Sequence, residues 1–197
     1  AANVRTRIAP VILMFASGLG GLIGAILLHL ATRGRVPPGT FAGVALVRTA
    51  LPVVATGLSS LLAVVVVGLA TEVWGDFVTL WLYGWLVAGT FMVGLVGLFS
   101  LLGFLGVILG LPLVFYQGLA AGALAPAAAA PSWVSWINDV LPLPEILAGW
   151  RAILIGGPEG AMPITEVIVV LVVSVALIWV ATAIHAALRP ASAAAEG

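Results

Sequence analysis

FVTLWLYGWLVAGTFMVGLVGLFSLLGFLGVILGLPLVFYQGLAAGALAPAAAAPSWVSWIN, residues 77–138, contains no Asp, Glu, Lys or Arg. A bilayer core takes ~20 apolar residues per helix, so this stretch is too long for one crossing and suits two. Working outward, charge-free windows also cover 8–32, 49–71 and 167–188, each rich in Leu, Val, Ile, Ala and Gly. In lipid such segments must be helical, because only a helix pairs every backbone N–H and C=O within itself. The expected fold is an all-α integral membrane protein. It forms a single transmembrane domain over 1–197, with five transmembrane helices near 8–30, 49–70, 77–98, 101–119 and 164–188.

Composition supports this class. Hydrophobic residues make up 63% and charged ones 7%, against roughly 25% charged in soluble domains. The net charge is zero, so no basic face points to nucleic acid. Cys is absent, which removes disulfides and thiolate metal sites. All basic residues are Arg, and Ala, Gly and Val are abundant, a bias that suits a GC-rich bacterial genome and a bacterial cytoplasmic membrane. The chain opens on Ala1 and lacks the shape of a signal peptide. It is expected to be the C-terminal part of something longer.

Small residues recur on the helices. Gly20 and Gly24 form a groove for a neighbour in the first, and Gly103, Gly106 and Gly110 share a face of the fourth, where Pro112 predicts a kink. Pro52 is placed in the first turn of the second helix, where its missing N–H costs nothing. Trp81 and Trp85 stand four apart on one face and read as packing or lipid contacts. Orientation follows from Arg placement. Arg33, Arg35 and Arg48 fall in an acid-free loop 31–48, and Arg189 follows the last helix. With five crossings these share a side, taken as cytoplasmic together with the C-terminus. The N-terminus then lies outside, against which Arg5 and Arg7 count; an upstream helix would remove that conflict.

Segment 120–163 is unusual. A flexible stretch, GALAPAAAAP, leads to Ser132 as a helix cap and to Trp133 and Trp136, which suit a membrane interface. Leu141-Pro142-Leu143-Pro144 breaks the helix. Glu145 then opens a second short helix over 145–155, which carries Trp150 and Arg151 and stops at Gly156-Gly157-Pro158. Both pieces are too short to span and too apolar for a solvated loop. They read as a re-entrant or interfacial helical hairpin over 132–157 in the outer leaflet.

This arrangement resembles a known family. A spanning helix ends in Gly122-Ala123-Leu124-Ala125-Pro126; then come a short interfacial helix, the Leu-Pro-Leu-Pro break, a short helix ending near Arg151, a Gly-Gly stop and a last spanning helix. The order is similar to the C-terminal half of the type-two ABC exporter membrane domain, and especially to its YhgE/Pip-like (phage infection protein) relatives. In those relatives a first helix and a large extracytoplasmic domain precede five helices. The resemblance implies that this chain is that five-helix block, with a separate ATPase subunit as a possible partner.

Catalytic signals are absent from the sequence. Nothing matches G-x-x-x-x-G-K-[ST], and no Ser–His–Asp set or paired intramembrane carboxylates can be assembled, so no enzyme, cofactor or metal is expected. His29 and His185 read as separate interfacial residues rather than a pair, and Glu166 as a helix N-terminal acid. Candidate substrate or gating residues are Tyr116, Gln117, Trp133, Trp136, Pro142, Pro144, Glu145, Trp150 and Arg151. Candidate cytoplasmic coupling residues are Arg33, Arg35 and Arg48. Charge-free spans favour a permease that exports or presents a hydrophobic, lipid-like substrate, since ions or sugars would need polar groups in the membrane. The alternative is a non-transporting scaffold subunit of a cell-envelope or secretion complex. A proton-coupled carrier, requiring Glu166, His29 or His185 to face a cavity, is a third reading. Membrane lipids and a homo- or hetero-oligomeric assembly are the expected partners.

Overall fold

The computed structural model describes residues 2–32, 41–72, 74–120, 143–156 and 162–188, with side chains over 8–32, 41–72, 74–115, 144–156 and 162–187. These residues form six helices: α1 (Ala2–Thr32), α2 (Phe41–Thr71), α3 (Phe77–Leu102), α4 (Phe104–Ala120), α5 (Leu143–Ile155) and α6 (Ile164–Leu188). Over Ile8–Thr32 of α1, and in α2, α3 and α6, they are long and apolar enough to cross a membrane, as a multi-pass membrane protein requires. Helix α4 is not. Its 17 residues rise about 25 Å, short of a ~30 Å hydrocarbon core.

Local chemistry sets the boundaries. Asp76 caps α3, its carboxylate accepting from the backbone N–H groups of Val78 and Thr79 and from the Thr79 hydroxyl. Helix α3 runs on to Leu102 and stops at Gly103, whose φ of 60° suits glycine and whose N–H donates to the Phe99 carbonyl. The expected boundary near 98–101 therefore moves, and Gly103 is the turn between α3 and α4 rather than part of a face of α4. Helix α5 has Pro144 and Glu145 in its first turn and ends at Gly156, φ 78°.

Two other expectations are corrected. Helix α2 starts at Phe41, not near 49, so Arg48 lies inside the helix and Pro52 in its interior. The groove on α1 faces Met92 through Gly21 and Gly24, where an added Cβ would crowd the Met92 backbone and side chain; Gly20 faces open space.

Helix α3 is the axis of the bundle. In its most apolar stretch 61% of residues are buried, against 28–39% in the other three spans. Helices α4, α1, α2 and α6 ring it in that order, each touching the next, but α4 and α6 scarcely meet. Among the described residues the ring is open between them. Helix α6 runs parallel to α3, with Val167 in one buried cluster with Val87, Gly94 facing Ser174, and Gly97 facing Ile178. Helix α4 returns along α3, with Gly106 on the Leu98–Phe99 backbone and Gly110 against the Phe99 ring. Helix α5 continues in that direction beside the first half of α3, from Ile146 near Tyr83 to Ile153 near Gly75.

Candidate functional site

The opening between α4 and α6 holds a cavity of about 230 Å3. Its floor is α3, from Val87 to Leu101; Leu113 stands on the α4 side, and Val170, Ser174 and Leu177 on the α6 side. Ile146 of α5 and Val167 of α6 lie at one end. Fourteen residues of α3 separate Val87 from Leu101, a rise of about 21 Å, so the cleft follows the bundle axis for most of a bilayer core. Leu101 and Leu177 stand exposed at its rim. Among the described residues the only lining hydroxyls are Thr90 and Ser174. Each donates within its own helix, to the Leu86 carbonyl at 2.8 Å and the Val170 carbonyl at 2.7 Å, so neither offers a free donor. Among the described residues no charged side chain lines the cleft. A space of this chemistry accepts hydrocarbon and penalises bare ions.

Helix α5 is held by α1, where Ala9, Leu13 and Met14 share a buried cluster with Ile146, Leu147 and Trp150, and by the first half of α3. The Tyr83 hydroxyl donates to the Ile146 carbonyl at 3.1 Å, and the Tyr83 and Trp150 rings meet edge to face at 5.1 Å. Gly149 sits directly on the Tyr83 hydroxyl, and Gly84 admits the Trp150 ring, which a Cβ would meet at 2.8 Å. Trp150 is fully buried, and its indole N–H finds no partner among the described residues. Trp150, expected on an interfacial helical hairpin, is therefore a packing residue inside the bundle. Pro144 is half-buried, while Glu145 and Arg151 are exposed.

Arg48 also departs from expectation. It is 8% exposed rather than presented in a loop. Its guanidinium donates through Nε to the Thr32 hydroxyl at 3.1 Å and through Nη1 to the Ser100 hydroxyl at 3.4 Å, joining the ends of α1 and α3 to α2. Beside this node the His29 ring meets Phe99 edge to face. His185 donates from Nδ1 to the Ala181 carbonyl of its own helix. Glu166 stands exposed in the first turn of α6.

Trp81 and Trp85 are packing residues with an added bond. Their rings stack at 6.1 Å, and their indole N–H groups donate to the Gly57 and Val53 carbonyls of α2 at 2.9 and 2.7 Å. Arg33, Arg35, Trp133, Trp136 and Pro142, the Gly122–Pro126 turn and the first arm of the expected hairpin lie outside the described residues. The Tyr116 and Gln117 side chains do as well. Sequence reasoning identified none of the cleft-lining residues as a site, because a Leu or Val that lines a gap carries the same signal as one facing lipid. No protein-family model, curated protein or solved structure matches the chain.

Proposed function

We propose that the chain is the membrane-embedded, permease-like part of a bacterial exporter that moves or presents a hydrophobic, lipid-like molecule. The observation that carries this reading is the cleft between α4 and α6, about 230 Å3 in volume, whose described lining carries no charge and which the described helices leave open along the bundle flank. A lipid tail enters such a cleft from the bilayer without leaving hydrocarbon, whereas a polar solute finds no unsatisfied donor or charge to replace its water. In this reading α4 and α5 share the fourth crossing, with α5 as the arm of a re-entrant hairpin that closes the Gly75 end. The Arg48 end faces the cytoplasm, and so does the C-terminus.

The kinship with type-two ABC exporter permeases of the YhgE/Pip-like kind belongs to the same proposal, and with it a separate ATPase subunit. Because Arg48 is tied to Thr32 and Ser100, docking of such a subunit would fall to other residues of the Arg48 end. One observation favours the scaffold reading instead. The helices approach through glycine, as at Gly106 on the Leu98–Phe99 backbone, a packing that suits a rigid subunit. Affinity isolation of the native complex, with depletion of any ATPase found in it, separates the two. An exporter loses its phenotype on depletion; a complex without an ATPase and an unchanged phenotype would leave the scaffold.

A further inference from the structure

The two walls of the cleft are held unequally. Helix α6 is seated on both α3 and α2, with Val167, Ser174, Ile178, Ala181 and Thr182 buried along its length. Over 104–115 of α4 only Gly106, Gly110 and Val114 are buried. Every side chain in that stretch is apolar, so none hydrogen-bonds to another helix. Lipid is as apolar as they are, which leaves close packing to hold the helix. Two of the three packing positions are glycines, which offer a smooth face rather than a side chain interlocked with its neighbour. Phe104, Leu105, Ile108, Leu109, Leu111 and Phe115 all stand exposed. The link to α3 is a single residue. Gly103 has φ 60° and ψ −131°, which other residues rarely adopt, and a Cβ there would meet nothing within 4 Å. Gly103 is thus required for its backbone and not for space. The closest approach to α3, Gly106 on the Leu98 carbonyl, lies just beyond it, and the cleft wall at Leu113 lies farther out.

We propose that α4 is the gate of the cleft, pivoting at Gly103 so that its Leu113–Phe115 end swings toward and away from α6. This rests on the proposal that the cleft takes a lipid-like molecule, and adds how the cleft opens and closes. Glycine absorbs changes of φ and ψ that side chains forbid elsewhere. Because Gly106 lies near the pivot, its backbone contact with Leu98 shifts little while the far end travels. Phe115 is about 18 Å from Gly103 along the helix. A tilt of about 15°, within the scatter of packed helix pairs, carries it about 5 Å. In the position described, Val114 rests on Gly18 of α1 and the cleft is open. A swing toward α6 lifts Val114 from Gly18 and brings Leu113 to the Val170 wall. A hydrocarbon chain seated in the cleft blocks that swing, so it favours the open position.

The test uses the full chain in phosphatidylcholine nanodiscs. The chain has no cysteine, so two introduced thiols are the only ones labelled. Spin labels at Phe115→Cys and Val169→Cys, on the exposed faces of the two walls, are read by double electron–electron resonance. The expected result is two distances about 5 Å apart, the longer gaining share when a diazirine-bearing long-chain alcohol is added. Val54→Cys with Val169→Cys, on α2 and α6, should give one distance. Gly103→Ala should change the proportions of the two. Bridging Leu113→Cys to Val170→Cys with a short reducible reagent should abolish photolabelling of the cleft by the alcohol, and reduction should restore it. A single distance across the cleft, proportions indifferent to Gly103→Ala, or labelling untouched by the bridge would each overturn the gate. If labelling then still falls in Leu113→Trp, the cleft stands as a rigid lipid site. Labelling indifferent to Leu113→Trp would overturn the cleft reading itself, and the gate with it.

Discussion

Tyr83 and Ile146 are joined across 63 positions of sequence by a single hydrogen bond, hydroxyl to backbone carbonyl at 3.1 Å. Around it α5 fits against α3 with almost no tolerance, because Gly149 touches the same hydroxyl and Trp150 fills the space over Gly84. The short helix that closes one end of the cleft is thus seated on α3 by one bond and two glycines, and its other side packs on Ala9, Leu13 and Met14 of α1. Its seat also holds a buried indole N–H without a partner among the described residues.

Tyr83→Phe and Gly149→Leu therefore act differently. The first removes one interhelical hydrogen bond, worth about 0.6 kcal/mol on average in membrane bundles, and should leave the protein abundant with a slightly lower melting temperature in detergent. The second drives a side chain into Tyr83 and should unseat α5, seen as low membrane level or rapid proteolysis within 143–156. Pro144→Ala combined with Gly149→Leu should likewise fail in folding before activity, because of the contact at Gly149.

Gly106→Leu and Gly110→Leu should separate α4 from α3. A Cβ at Gly106 would come within 2.8 Å of the Leu98 carbonyl oxygen, and one at Gly110 within 3.0 Å of the Phe99 ring. Backbone cannot yield as a side-chain tip can, so Gly106→Leu is the more damaging. Close packing drives helix association where lipid is as apolar as the helices, so thermal stability in detergent should fall in both, further in Gly106→Leu. Gly20→Leu, where the added Cβ meets nothing within 4 Å, is the control that should melt as the parent does.

How much of this was legible in the sequence depends on what each feature needed. The spans near 8–30, 77–98 and 164–188 could be read because lipid demands long apolar helices and charge marks their ends. That rule failed at Arg48, where α2 passes through the charge. The Thr32 and Ser100 hydroxyls that accept from it come from two other helices, and no local signal announces them. Trp150 resembled an interfacial anchor by residue type, yet Gly84 makes room for it in the core. The glycine face on α4 was legible at Gly106 and Gly110 because small residues at helical spacing admit a neighbour, although which neighbour was not. The cleft was illegible throughout, since it arises from the order of helices around α3.

Arg48→Met should keep the side-chain length, remove both donated bonds, and loosen α1 and α3 from α2 at that end. The Thr32 hydroxyl retains its bond to the Leu28 carbonyl, so the loss is of cross-links rather than an orphaned group. Stability should fall by about 1–3 kcal/mol, the range for hydrogen bonds to a charged group. Unfolding in a denaturing detergent, followed by tryptophan fluorescence, reads it. Arg48→Lys, a point charge without the planar fork, should recover only part.

Asp76 supplies an acid-range signature. The Thr79 hydroxyl first, and then the Thr79 and Val78 N–H groups, hold its carboxyl below the ordinary value of 3.8. A carboxylate with a lowered folded pKa contributes stability that is present above its unfolded value and lost as pH falls through the folded one. The parent should melt above Asp76→Asn at neutral pH, and the gap should close as the pH drops below 3.8. A gap unchanged in acid would mean that the cap acts through shape and not charge.

The most direct test of the central claim is photocrosslinking from the cleft to lipid in native membranes. A benzophenone amino acid is placed at Val170 on the cleft wall and, for comparison, at the exposed Val54 on α2 and the buried Leu147 on α5. Adducts are identified by mass spectrometry. A cleft that takes a lipid-like substrate predicts a narrow set of adducts at Val170, diminished by Leu113→Trp, beside bulk phospholipid at Val54 and none at Leu147. The same bulk phospholipid at Val170 as at Val54, unaffected by Leu113→Trp, would contradict it.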